Sequence, residues 1–183
     1  AGETPIQIAT EKGYAEIVSM LLDDDVDAVN KNNSGQTLLH RAAKNGDIPL
    51  MKTLLGYADS LNTPDAEGVT PLSLALSHVD MEMIRLLLDN KTDVNIMVDE
   101  KYTFFELMLS TILGELRQAE EYVLEDDDNI LETVRQAIDQ NAELSRQDED
   151  GKTPLHWVTR LHDSITDGGE GNSFLGHMTL LLL

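Results

Sequence analysis

The sequence predicts an all-α fold, a solenoid of stacked helix-turn-helix units. A Gly-x-Thr triplet recurs at Gly2-Glu3-Thr4, Gly35-Gln36-Thr37 and Gly68-Val69-Thr70, in two steps of 33 residues. Other positions keep that phase: Ala9, Ala42 and Ala75, and the leucine pairs Leu21-Leu22, Leu54-Leu55 and Leu87-Leu88. Aromatic residues make up 4% of a chain that is 41% hydrophobic. That balance suits thin layers filled by Leu, Ile, Val and Ala better than one centre filled by rings. A fixed period of this size marks a repeat architecture whose units bury their apolar faces only by stacking.

Each unit reads the same way along the chain. Thr4-Pro5 and Thr70-Pro71 start an inner helix; the hydroxyl caps free amides and Pro fits a first turn where no amide bond is lost. Ala42 and Ala75 let neighbouring layers approach closely. Gly13 and Gly46 end the inner helix by allowing a positive φ, with Val79 at that place in the third copy. An outer helix follows, with helical apolar spacing at Ile17, Met20 and Leu21 in the first copy and Met83, Leu86 and Leu87 in the third. A polar turn closes the unit, as in Asn32-Asn33-Ser34-Gly35 and Asp65-Ala66-Glu67-Gly68.

The fourth and fifth copies depart from the pattern. Another step of 33 reaches Lys101-Tyr102-Thr103-Phe104, where Thr stays and Gly does not, and Gly151-Lys152-Thr153-Pro154 comes 50 residues after that fourth start. Phe105, Met108, Leu109, Ile112, Leu116, Ala119 and Val123 keep helical spacing. They predict one helix of about twenty residues, longer than the usual ~11–12. The acidic run Glu125 to Asn129 reads as a capped linker before a helix at Ile130. In the fifth copy His162 to Phe174, with Gly168-Gly169-Glu170-Gly171, reads as a loop between its two helices.

Thr37-Leu38-Leu39-His40-Arg41-Ala42 and Thr153-Pro154-Leu155-His156 resemble the Thr-Pro-Leu-His-x-Ala signature of ankyrin repeats, and the period agrees. Asp93-Val94-Asn95 is similar to that family's hairpin segment. The resemblance covers nearly the whole chain as about five repeats, near 2–34, 35–67, 68–100, 101–150 and 151–183, in a single domain. It implies that the polar turns project as a row of β-hairpin-like fingers, and that His40 and His156 bond neighbouring turns. It also implies protein binding through finger tips and the concave face of the inner helices. Carried over, the tips are Asn33, Ser34 and Gln36; Ala66, Glu67 and Val69; Asp99, Glu100 and Tyr102; and Glu149, Asp150 and Lys152. The variable helix ends are Lys44 and Asn45, then Ser77 and His78. Tyr102 is the candidate aromatic anchor, while Trp157 reads as a buried inner-helix ring. Leu87 with Asp93-Val94-Asn95 is similar to the pattern used by asparagine hydroxylation in ankyrin repeats, which makes Asn95 a candidate for that modification.

Composition narrows the partner. Acidic residues number 34 against 13 basic ones, a formal charge of -21. Such a surface repels phosphate backbones and anionic membranes and attracts a basic protein segment. The chain has no cysteine, which excludes disulfides and thiolate metal sites and fits an intracellular location, cytoplasmic or nuclear. No stretch reaches the ~20 apolar residues of a membrane span. Neither Glu125–Asn129 nor Asp23-Asp24-Asp25 has the ligand order of a calcium loop. The Gly-rich stretch lacks the Lys-Ser/Thr of a phosphate loop, and His162 with Asp163 has no readable Ser or Cys nucleophile. The expectation is a non-enzymatic interaction module without cofactor or metal. Its uncapped ends, from Ala1 to the run Leu180 to Leu183, are those expected of a piece of a longer chain. The alternatives are a regulatory or substrate-recruiting part of a larger enzyme or channel, or a secreted pathogen effector.

Overall fold

The structure is a computed structural model, and it describes residues 4–22, 31–58, 60–98, 102–118, 127–166 and 173–183. These residues form ten helices and no strand beyond an isolated antiparallel bridge between Met97 and Thr103. The fold is an all-α repeat solenoid. The chain divides into two compact units, Ala1–Asp93 and Val94–Leu183.

The first unit holds α1 (Pro5–Glu11), α2 (Ala15–Leu22), α3 (Leu38–Asn45), α4 (Ile48–Leu55), α5 (Pro71–Ser77) and α6 (Met81–Asp89). Within it α1 packs on α2, α3 on α4 and α5 on α6. The inner helices α1, α3 and α5 form one row and the outer helices α2, α4 and α6 a second. Ala9, Ala42 and Ala75 are all buried where the inner helices meet, so the small residues admit close layers. Thr4, Thr37 and Thr70 each form a capping box with the residue three further on, namely Gln7, His40 and Ser73. Asp47 and Asp80, again 33 apart, cap the outer helices by accepting from Leu50 N and Met83 N, each at 3.0 Å. Gly13 (φ +70), Gly46 (φ +64) and Val79 (φ 53) share the left-handed turn between the paired helices.

The core of α2 differs from the expected spacing. Val18 and Leu22 are buried, whereas Ile17 is 47% and Met20 70% exposed. Ile17 lies in the register of Leu50 and Met83, both fully buried in layers that have another layer before them. Among the described residues α2 has none before it.

The second unit holds α7 (Phe104–Gln118), α8 (Asp127–Asp139), α9 (Pro154–Thr166) and α10 (Ser173–Leu181). Here α7 packs on α9, α8 on α10, and α9 on α10. The fourth repeat takes up its extra length by lengthening both helices: α7 has 15 residues against 7 in α5, and α8 has 13 against 9 in α6. The expected continuation of α7 through Ala119 and Val123 falls outside the described residues. Two expectations are corrected. Asp127, Asp128 and Asn129 belong to α8 itself, not to a linker before it; carboxylates in a first turn oppose the positive end of the helix dipole. His162 to Thr166 continue α9, and Ser173 and Phe174 open α10. No glycine or proline interrupts the chain between Pro154 and Asp167, so nothing stops that helix before the Gly-rich segment at 167–172.

Candidate protein-interaction surface

The finger turns are built on one repeated device. Asn32 Oδ1 accepts from the amides of Ser34 and Gln36, both at 2.9 Å. Asp65 Oδ1 accepts from those of Glu67 and Val69, both at 2.9 Å. Asp148 Oδ1 accepts from those of Asp150 at 2.9 Å and Lys152 at 2.8 Å. One acceptor thus closes each turn on amides two and four residues ahead, and an Asx side chain is short enough to do so. The 33-residue step from Asn32 to Asp65 was a readable signal for these residues. Asn32 and Asp65 open the polar turns, and the expected contact residues are the tips they support.

Electrostatics follow from that geometry. Burial raises the Asp65 carboxyl, but the amides of Glu67 and Val69 and the Gln36 side chain outweigh it and hold it below its ordinary value. The Lys152 amide is the largest influence on Asp148; with the Trp157 N–H and the Asp150 amide it lowers that carboxyl too. Both finger carboxylates are therefore anionic at neutral pH.

Neighbouring fingers are tied together. Ala66 N donates to Ser34 O at 3.0 Å. A Cβ on Gly35 would lie 2.7 Å from Ala66 N, so the approach of two backbones, with φ +73, explains that glycine. His40 Nδ1 bonds Thr37 N and Oγ1 at 3.1 and 2.8 Å, and Nε2 lies 3.0 Å from Val69 O on the next finger. Burial dominates His40 and holds its imidazole below 6.5, although the Val69 carbonyl and Asp65 pull the other way. In the fourth repeat Glu106 occupies the place of His40, three residues after the Thr. It accepts from Thr103 N at 2.9 Å and pairs with Arg146, its side chain 2% exposed. A charge pair there replaces the imidazole bridge.

Asn95 has an equally structural place. Its Nδ2 donates to Asn141 O at 2.9 Å and its Oδ1 accepts from Glu143 N at 2.8 Å. Asn62, one period earlier, accepts likewise from Asp93 N at 3.0 Å. Asparagine at this register clasps one layer to the next.

Of the expected contact residues, Asn33, Ser34, Ala66, Glu67, Glu149 and Asp150 stand exposed at the turns. Gln36, Val69, Tyr102 and Lys152 are half-buried at their flanks. Lys44 and Asn45 end α3 and Ser77 ends α5, with His78 just beyond, all exposed. Apart from the third finger, the structure brings each group together within its own repeat. Asp99 and Glu100 lie outside the described residues, as do Asp23-Asp24-Asp25. Trp157 is half-buried, not buried as expected, because its indole N–H reaches the Asp148 carboxylate at the turn. No helix among the described residues is long and apolar enough to cross a membrane.

The sequence pattern of ankyrin repeats, in three copies, matches residues 1–65 and again 39–116. The chain belongs to the ankyrin-repeat family. An ankyrin repeat protein of Acanthamoeba polyphaga mimivirus is 28% identical over 167 residues, covering 91% of this chain and 20% of that protein. Inversin of Canis lupus familiaris is 26% identical over 162 residues, 88% of this chain and 14% of that protein. BCL-6 corepressor-like protein 1 of Homo sapiens is 34% identical over 94 residues, 51% of this chain and 5% of that protein. This ankyrin chain spans a fifth or less of the length of these curated relatives. A crystal structure of an ankyrin repeat domain from Acinetobacter baumannii shares the fold with a TM-score of 0.71 at 20% identity, over 99% of this chain and 80% of that one. Ankyrin repeats in general are protein–protein interaction modules, and the fold is not itself a catalytic one.

Proposed function

We propose that this ankyrin chain, one domain of a longer intracellular protein, binds a basic segment of another protein through its finger turns and inner-helix ends. The supporting observation is the combination of an acidic turn scaffold with acidic tips: ionised Asp65 and Asp148 lie beneath exposed Glu67, Glu149 and Asp150. Those groups stand on backbone hydrogen bonds, so little ordering accompanies an encounter. The chain's charge of -21 speeds the approach of a cation-rich partner. It performs no catalysis and needs no cofactor in this reading.

A capped nine-residue peptide carrying three lysines serves as the probe, titrated calorimetrically at low and high salt. Glu67→Lys, Glu149→Lys and Asp150→Lys together should weaken binding about tenfold or more and flatten its salt dependence. Unchanged affinity in the triple variant would reject the reading. A second reading, a recruiting or regulatory domain of a larger channel or enzyme, draws support from the potassium channel AKT2/3 of Arabidopsis thaliana. That protein is 28% identical over 124 residues. Asn95 is the position we propose for hydroxylation; intact mass of the natively expressed protein, with or without one added oxygen, decides it.

A further inference from the structure

We propose that Tyr102, Trp157 and Asp148 of the second unit form a receptor for one arginine side chain of that basic segment. This rests on the function proposed above and names the side chain the surface selects. The two rings stand edge to face, with centroids 6.4 Å apart and planes at 73°. Both are half-buried, so each is partly packed and partly reached by solvent. Trp157 is the only Trp in the chain, and it follows directly on the signature His156. In the second repeat the same register holds Arg41, which spends its guanidinium on Gln7 O at 3.0 Å. The fifth repeat places an indole there instead of a cation.

The electrostatics of the pair favour a cation. The indole N–H donates to Asp148 Oδ2 at 2.9 Å, which leaves more electron density on the ring. An aromatic face attracts a cation within about 6 Å of its centroid, and Trp does so best. The same hydrogen bond fixes a carboxylate at the ring edge. The three amide and indole donors around Asp148 keep that carboxylate ionised. Glu149 and Asp150 extend the negative surface outward. Lys152 Nζ sits 3.3 Å from Asp150 Oδ2 in an exposed pair; such pairs hold weakly and yield to an incoming cation.

A plane beside an in-line carboxylate distinguishes the two basic side chains. Guanidinium is planar and weakly hydrated, so it stacks on a ring while donating at its rim. Ammonium is a compact, strongly hydrated point charge that gains less from the ring. If the rings served packing alone, their loss would lower stability without changing the ratio of arginine to lysine binding.

The test uses the whole chain and two capped nine-residue peptides, one with three arginines and one with three lysines at the same positions. Emission from Trp157 reports on this site alone. The arginine peptide should perturb that emission saturably and bind at least threefold tighter than the lysine peptide by calorimetry. Tyr102→Ala and Trp157→Leu should each remove about three- to tenfold of the arginine affinity and leave the lysine affinity in place. Trp157→Phe, which keeps a ring but loses the N–H to Asp148, should fall between the native chain and the leucine variant in its preference and guards against loss of fold in the latter. Equal affinities for the two peptides, or unperturbed Trp157 emission at saturation, would overturn the arginine receptor while leaving the acidic binding surface intact. Binding of neither peptide would overturn both.

Discussion

Val79 carries the turn between α5 and α6 at φ 53, where the other layers use Gly13 and Gly46. A β-branched residue in the left-handed region is strained by its own Cβ, at a cost of roughly 1–2 kcal/mol. The residue is 42% exposed, so little burial offsets that strain. Val79→Gly should therefore raise stability by about 0.5–1 kcal/mol after the entropy cost of glycine, read as a higher urea midpoint. His40 makes a pH-dependent contribution. Its folded pKa lies below 6.5, so the unfolded chain binds the proton more tightly. The stability supplied by the neutral, bridging ring is complete above about pH 6.5 and is lost as pH falls through that value toward the folded pKa. His40→Gln should be less stable than the native chain at pH 7.5, and the gap in urea midpoint should narrow at pH 5.5. A gap that widens on acidification would show that the ring is charged in the folded state.

At the scale of elements, α7 shows how a repeat survives the loss of its signature. Lys101 replaces glycine and Phe104 replaces proline. Yet Thr103 still caps the helix, because Glu106 returns its carboxylate to the Thr103 amide. The buried carboxylate then requires a cation, and Arg146 supplies it. Arg146→Ala leaves Glu106 buried and uncompensated. Loss of one partner of a fully buried pair costs about 3–5 kcal/mol; with the Arg146 side chain 27% exposed, about 2–3 kcal/mol is expected. Glu106→Gln should cost less, since the neutral amide can still serve Thr103. Thermal unfolding of the two variants, followed by circular dichroism, ranks them. The Thr positions made these caps readable beforehand. Asp47 and Asp80 recur 33 residues apart and were readable in the same way, whereas Glu106 and Arg146 share no residue type with the matching positions of the other repeats.

Over the molecule as a whole, 34 acidic and 13 basic residues leave strong self-repulsion. Screening sets in over about 10 Å at 0.1 M salt. Sodium chloride raised from about 0.02 to about 0.3 M should therefore stabilise the chain, raising its melting temperature by about 2–4 °C for each kcal/mol of relieved repulsion. A melting temperature that falls with salt would mean that attractive pairs outweigh the excess acid. Direct pairs among the described residues include Arg41–Glu11, Arg135–Glu132, Arg146–Glu106 and Lys152–Asp150.

The 33-residue phase, the capping Thr residues, the small Ala positions and the left-handed turns were determined by the sequence alone. Each depends on interactions within a few residues, and local preference is written in residue type. Tertiary structure decided which apolar residues are covered, as Ile17 against Leu50 makes plain, because burial belongs to the neighbouring layer and not to the residue. It also decided that Asn95 clasps Glu143 across 48 residues and that Trp157 meets Tyr102 and Asp148 at a turn. The fourth repeat's additional residues hide such pairings in the linear chain; only folding returns their partners to hydrogen-bonding distance.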